Sequence, residues 1–401
     1  MKRYLILLAT ALLSAAVVLL SQRLDPRIQR LFHPPSEAKL ALRPIAEFEP
    51  SFGVALSEHI LFQASGVELV REIIRARGKI YLFTTESLQD ETEELFQVKK
   101  PFSPEEMDAI TKIQLEHESL WLRDFLPIPV LRVYPRLPPT PSFVDFVYRD
   151  GNSFDDAAIH QFALAINSSV EHLPIVLDGG NFMTDGESCI LSEEMSADPD
   201  APSFVTGDAS LDQHVAPILD AAMGCQRTFV VSQIPHPHVD MWIKFARKGT
   251  VLINEIEEES LSLASELEPG QLERIRKIKI ALDETAVRLG KAFRVIRLPM
   301  PLPVNDIFFT YANSVIVNDT VIIPSYQDPE PKRGSYPDRT LYPKYETRVA
   351  EAFRSLGFRP VFLNGDELIK EGGAFHCVTF HLPDLDAIMN DKSQLAIRPK
   401  K

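Results

Sequence analysis

One pattern recurs five times along this chain and limits its architecture more than any other feature. A helical stretch ends, a short β-branched or aromatic strand follows, and a polar segment comes next. The spacing of apolar residues predicts helices over roughly 66–77, 155–167, 209–223, 272–289 and 345–356. Four of them stop at Gly78, Gly224, Gly290 and Gly357, the residue type that closes a last turn in the left-handed region. Strands are expected over Lys79–Thr84, Ile175–Leu177, Thr228–Ser232, Arg294–Leu298 and Pro360–Leu363. Turn signals at Asp185-Gly186, Lys248-Gly249 and Asn318-Asp319 predict hairpins, and Ser103 before Pro104 predicts an extra capped helix in the first unit. A unit of this size cannot bury its apolar face alone, so five of them imply a closed radial arrangement around a centre.

Each unit brings one polar segment to that centre. In order they are Trp121-Leu122-Arg123-Asp124, Asp178-Gly179-Gly180-Asn181, His238-Val239-Asp240, Tyr311-Ala312-Asn313 and Phe375-His376-Cys377. Taken singly they are ordinary: Asp124 reads as an ion pair with an arginine, Asp178 as a turn former, Asn313 as a side chain bonded to its own backbone. Together they assemble a thiol, an imidazole and several carboxylates. His238 and Asp240 share one side of an extended segment. His236 would share it too and suggests a metal site, but Pro235 and Pro237 make the segment an entering loop, and no second histidine-rich segment completes a coordination sphere.

The chemistry that uses this set is attack on a guanidinium carbon. Carboxylates fix the planar cation through its paired N–H groups, a thiolate adds to the carbon, and a histidine protonates the departing nitrogen.

The same segments carry a family resemblance. Trp121–Asp124, Gly179–Gly186, His238–Asp240, Tyr311–Asn318 and Gly372–Cys377, in this order and preceded by Glu47-Phe48-Glu49-Pro50, resemble the motifs of the bacterial peptidyl-arginine and agmatine deiminases. These belong to the superfamily of guanidino-group-modifying enzymes. The resemblance implies an α/β fold, a five-bladed pseudo-symmetric propeller of ββαβ-like modules, over 45–385. It implies Cys377 as nucleophile, His238 as general acid and base, and Asp124 and Asp240 as guanidinium-binding carboxylates. Asn313, Asp178, Asn181 and Trp121 are expected at the substrate, and the resemblance implies no metal or organic cofactor for the chemistry. Three departures reshape the pocket: Phe125-Leu126-Pro127 after Asp124, Asp178 where agmatine deiminases commonly have Glu, and Ala374 before Phe375. With the export signal below, they favour peptidyl arginine as substrate, with agmatine as the alternative. An amidinotransferase and a non-catalytic binder on the same fold remain open.

Composition sets the remaining bounds. The 401 residues are 45% apolar, ample for a packed core, and the net charge is −14. Residues 1–30 hold five basic side chains against Asp25, so the remainder is more acidic still, which excludes nucleic acid as the main partner. Lys2-Arg3 precedes the apolar run Tyr4–Leu20, read over 1–22 as a signal peptide or membrane anchor and followed by a linker over 23–44. Export is expected, with this segment contacting the membrane or the secretion machinery. Residues 386–401 read as a tail. Cys189 and Cys225 are expected as small, free, strand-associated residues, since three cysteines imply no disulfide framework.

Overall fold

The computed structural model describes residues 41–390, save 134–138, 149–152, 166–167, 169, 195, 198–210 and 328–335. The chain divides into two compact units. One is 1–41 with 133–139, almost all of it outside the described residues; the other, 42–132 with 140–401, holds the site. The apolar leader lies outside the described residues. Among those described, no helix is long and apolar enough to cross a membrane.

The protein is a mixed α/β fold, with five separate sheets among the described residues. Four repeat one plan: an antiparallel pair, a helix, then a strand parallel to the second member of the pair. Ile128–Val133 pairs antiparallel with Thr140–Val147, the helix Ser153–Ala165 crosses over, and Val170–Val176 returns parallel. Met183–Thr184 and Ser188–Ser192 take Arg227–Val231 after the helix Leu211–Ala222. Ile243–Arg247 and Thr250–Glu255 take Arg294–Pro299 after Pro269–Leu289. Val315–Val317 and Thr320–Ser325 take Arg359–Asn364 after Tyr342–Ser355.

The remaining sheet joins the two ends of the domain. Thr379–Pro383, the last strand, pairs antiparallel with Ser51–Ser57. The helix Gly66–Arg75 then leads to Lys79–Thr84, parallel to Ser51–Ser57, with Ile110–Gln114 beyond it. The predicted extra helix is Pro104–Asp108, with Ser103 and Glu106 forming a reciprocal capping box.

Each predicted helix and strand has a counterpart, the largest difference being the strand expected over Ile175–Leu177, which runs Val170–Val176. The hairpin turns use the expected left-handed residues: Gly186, Gly249 and Asn318 have φ of +89°, +70° and +57°. Two domain boundaries shift. The expected linker ends in a strand, Ala41–Pro44, and the expected tail begins in a helix, Leu385–Asn390.

The cysteine expectation is corrected. Cys189 and Cys225 form a buried disulfide with Cα atoms 5.8 Å apart. Parallel pairing sets Thr228 opposite Cys189, which brings the turn before that strand alongside. Gly224, at φ +74°, makes the turn that delivers Cys225 there. The proximity arises from a crossover 36 residues long, so no local pattern announces it.

Candidate active site

Each of the five polar segments lies beyond the C-terminal end of a strand, the last of them after the short helix Asp366–Lys370, and side-chain contacts bring them together. The Arg123 N–H donates to the Cys377 carbonyl at 3.1 Å, tying the first segment to the last. Cys377 is the only free cysteine and is buried. Its sulfur lies 3.1 Å from Asn313 Nδ2 and 3.6 Å from Asp240 Oδ2. The loop that carries it is held by Asn313 Oδ1, which accepts from the backbone N–H groups of Ala374, His376 and Cys377 at 3.1, 3.1 and 3.3 Å. Asn313 therefore positions the thiol, where the sequence suggested a contact with substrate.

His238 sits between two carboxylates. Nε2 is 3.0 Å from Asp178 Oδ2, and Nδ1 is 3.5 Å from Asp124 Oδ1. Asp178 thus orients the imidazole. Asp124 also accepts from the Gly180 N–H at 3.1 Å. A methyl at Gly180 would stand 2.6 Å from Asp124 Oδ1, 3.0 Å from His238 Nδ1 and 3.3 Å from Asp240 Oδ1, so only glycine lets these three groups share one opening. Gly373 plays the same part under the Trp121 ring: a Cβ there would lie 2.6 Å from Cζ3 of Trp121 and 3.0 Å from Cβ of Cys377.

Asn181 does not face the opening. Its Nδ2 donates to the Glu194 carbonyl and its Oδ1 accepts from the Ser192 N–H, so it braces its own turn. His236 likewise is engaged locally. Its Nδ1 accepts from the His238 N–H and its ring rests on Phe308. Among the described residues, no group of three or more His, Cys, Asp or Glu side chains is placed to hold a metal ion.

Burial and charge together set the protonation states. Burial pushes the Cys377 thiol well up, and Asp240 and Asp124 push it further, so the free site holds a thiol. Burial also raises Asp124 to about 7, against the pull of His238 and with added repulsion from Asp240 and Asp178. For His238, burial opposes the charge, but Asp124, Asp178 and Asp240 outweigh it and raise the imidazole to about 9. Asp240 runs the other way. Burial disfavours its charge, yet the bond from His376 and the nearby His238 and Arg123 hold it ionised.

Four buried side chains behind these groups were given no role by sequence: Glu47, Arg123, Lys244 and His376. His376 stood beside Cys377 in the motif, and Lys244 stood out as a charge inside the strand Ile-Lys-Phe-Ala-Arg. Neither signal says which partner the fold supplies.

Comparison with known proteins gives a consistent picture. The sequence profile of the Porphyromonas-type peptidyl-arginine deiminases matches residues 60–383. The agmatine deiminase of Pseudomonas savastanoi pv. phaseolicola is 24% identical over 236 residues, which is 52% of this chain and 57% of that protein. The chain spans about 57–63% of the length of the first relatives it matches. The agmatine deiminase of C. jejuni, solved with substrate bound, superposes with a TM-score of 0.59 at 17% identity, covering 86% of this chain and 97% of its own. That of Enterococcus faecalis gives 0.62 at 16% identity, covering 86% and 96%. At these identities the superpositions show the shared fold.

Proposed function

Since this chain belongs to the Porphyromonas-type peptidyl-arginine deiminase family, we propose that it hydrolyses a guanidinium group to a ureido group and ammonia. The observation that carries this reading is the placement of the buried Cys377 thiol beside Asp240, with His238 held between Asp124 and Asp178. A planar cation bound by Asp124 and Asp240 would replace their mutual repulsion with attraction and favour thiolate beside it. As the cation binds, the thiol releases its proton to solvent, and the thiolate sulfur adds to the guanidinium carbon. Protonated His238 gives its proton to one nitrogen, the C–N bond breaks, and ammonia leaves a thiouronium on Cys377. Neutral His238 then takes a proton from water, the hydroxyl adds to the same carbon, and as the C–S bond breaks the hydroxyl proton passes to the departing sulfur, releasing the ureido product and restoring the thiol.

Agmatine is the substrate we place first, because the relatives and the superposed structures bear that name. Peptidyl arginine is the second reading. The Cys189–Cys225 bridge favours it, since structural disulfides belong to oxidising compartments, and with the run Tyr4–Leu20 it supports an exported enzyme that meets peptides. We read the five sheets as blades of a radial α/β propeller, supported by the pairing of the last strand with Ser51–Ser57.

Mass spectrometry of ureido products and ammonia, with agmatine, free arginine and arginine peptides in parallel, tests reaction and substrate together. Carbamoylputrescine from agmatine without citrulline in peptides supports the first reading, and the reverse supports the second. Ammonia release by a Cys377→Ala variant at the wild-type rate would remove the nucleophile from the proposal.

A further inference from the structure

Behind the nucleophile runs a line of four buried charged or titratable side chains, Lys244, Glu47, His376 and Asp240, drawn from three separate parts of the chain. Lys244 Nζ lies 2.6 Å from Glu47 Oε2. The same Glu47 oxygen lies 3.0 Å from His376 Nε2, and His376 Nδ1 lies 2.6 Å from Asp240 Oδ2. Glu47 Oε1 accepts from the Ile316 N–H at 2.7 Å. Side-chain exposures are 1%, 8%, 2% and 0% along the line, so water does not compensate these charges.

Both ring nitrogens of His376 face carboxylate oxygens, and an ionised carboxylate can only accept. Two such bonds need two N–H donors, which is the imidazolium form. The line therefore alternates cation, anion, cation, anion from Lys244 to Asp240. Buried ions are tolerated when each is paired on every side. Asp240 Oδ2 is used by His376, while Asp240 Oδ1 is buried and has no hydrogen-bond partner among the described residues. The alternation stops one cation short, at an oxygen 3.3 Å from the point where a Gly180 side chain would begin.

We infer that Glu47 and His376 are positioning residues that aim Asp240, so that its free oxygen is presented to the guanidinium of the substrate. His376 fixes the rotation of the carboxylate and keeps it ionised beside Asp124. Glu47, anchored by Lys244 and the Ile316 N–H, fixes His376 in turn. The backbone of the loop carrying Cys377 is also held by Asn313, through bonds that do not involve the His376 side chain. Loss of the relay is expected to weaken binding of the cation more than reactivity of the thiol. The link to turnover rests on the proposed deiminase reading; the link to cation binding does not.

The test uses the full chain and guanidinium ion itself as probe. Its dissociation constant is read from the effect of graded guanidinium, at constant ionic strength, on alkylation of Cys377 by neutral iodoacetamide. Wild type is compared with His376→Leu, His376→Asn and Glu47→Gln. Leucine removes both donors, whereas asparagine keeps one near the position of Nδ1. The expected result is a guanidinium dissociation constant raised about 30-fold in His376→Leu and several-fold in His376→Asn and Glu47→Gln, the scale of a charge-assisted bond lost from a buried carboxylate. Alkylation without guanidinium should change less than about threefold. Where turnover is present, KM should rise more than kcat falls. The inference is overturned if Glu47→Gln and His376→Asn, folded by circular dichroism, bind guanidinium as wild type does. It is also overturned if they lose thiol reactivity and cation binding in equal measure. If wild type binds guanidinium but releases ammonia from no guanidino compound, the functional reading fails while the relay stands or falls on the binding data.

Discussion

Asn313 donates from Nδ2 to the sulfur of Cys377 at 3.1 Å while its other amide atom accepts three backbone N–H groups of the loop that carries that cysteine. One side chain thus sets both the place and the electrostatics of the thiol. Asn313→Asp preserves size and the acceptor but puts negative charge where the donor stood. It is expected to raise the thiol further and lower kcat by about 100-fold or more. The thermal midpoint should move only a few degrees. Iodoacetamide labelling against pH would show the shift, and an unchanged labelling profile would remove Asn313 from control of the thiol.

Gly180 lies against Asp124, His238 and Asp240 at once. A methyl there lands 2.6 Å from Asp124 Oδ1, closer than any relaxed contact, and its neighbours are themselves fixed by hydrogen bonds. Gly180→Ala should therefore displace the carboxylate and the imidazole while leaving the core intact. A loss of about 100-fold in kcat/KM is expected from such displacement of positioned groups. Activity within threefold of wild type in the alanine variant would show that substrate does not approach along this face.

The two titrations frame a pH profile. In the free site Asp124 titrates at about 7 and His238 at about 9. Below 7 Asp124 is neutral and loses its attraction for a cation; above 9 His238 has lost the proton that the leaving nitrogen needs. The profile of kcat/KM should be bell-shaped with limbs near these values, which belong to the coupled pair. A bound cation favours the charged carboxylate, so the acid limb of kcat should lie lower than that of kcat/KM. A kcat/KM that stays flat from pH 6 to 10 would contradict this assignment.

The architecture was legible because it rests on local rules repeated five times. A glycine after four of the five helices and a β-branched or aromatic run after each helix are written in adjacent residues, and the structure places Gly66–Arg75 with Lys79–Thr84 and Tyr342–Ser355 with Arg359–Asn364 accordingly. The residue types of the site were legible for the same reason. What could not be read was direction. Asp178 and Asn181 stand three residues apart in one turn, yet one meets His238 and the other braces Ser192 and Glu194. Glu47 meets His376 across 329 positions, a pairing that follows only from the closure of Thr379–Pro383 on Ser51–Ser57. The bridge between Cys189 and Cys225 escaped for a like reason, since it depends on strand register across a crossover.

That bridge gives the last prediction. It closes 36 residues, and closing a loop of that length in the unfolded chain is worth about 3–4 kcal/mol on a chain-entropy account. It lies in a core cluster apart from the one that contains Cys377. Stability and activity should therefore separate. The Cys189→Ala/Cys225→Ala double variant is expected to unfold at lower urea by an amount matching a few kcal/mol while keeping kcat within about twofold. A thiol count under denaturing but non-reducing conditions checks the bridge directly: one reactive thiol, Cys377, is expected before reduction and three after. Three thiols before reduction, in protein recovered from an oxidising compartment, would show that the pair does not bridge. That result would also remove the disulfide's support for an exported enzyme.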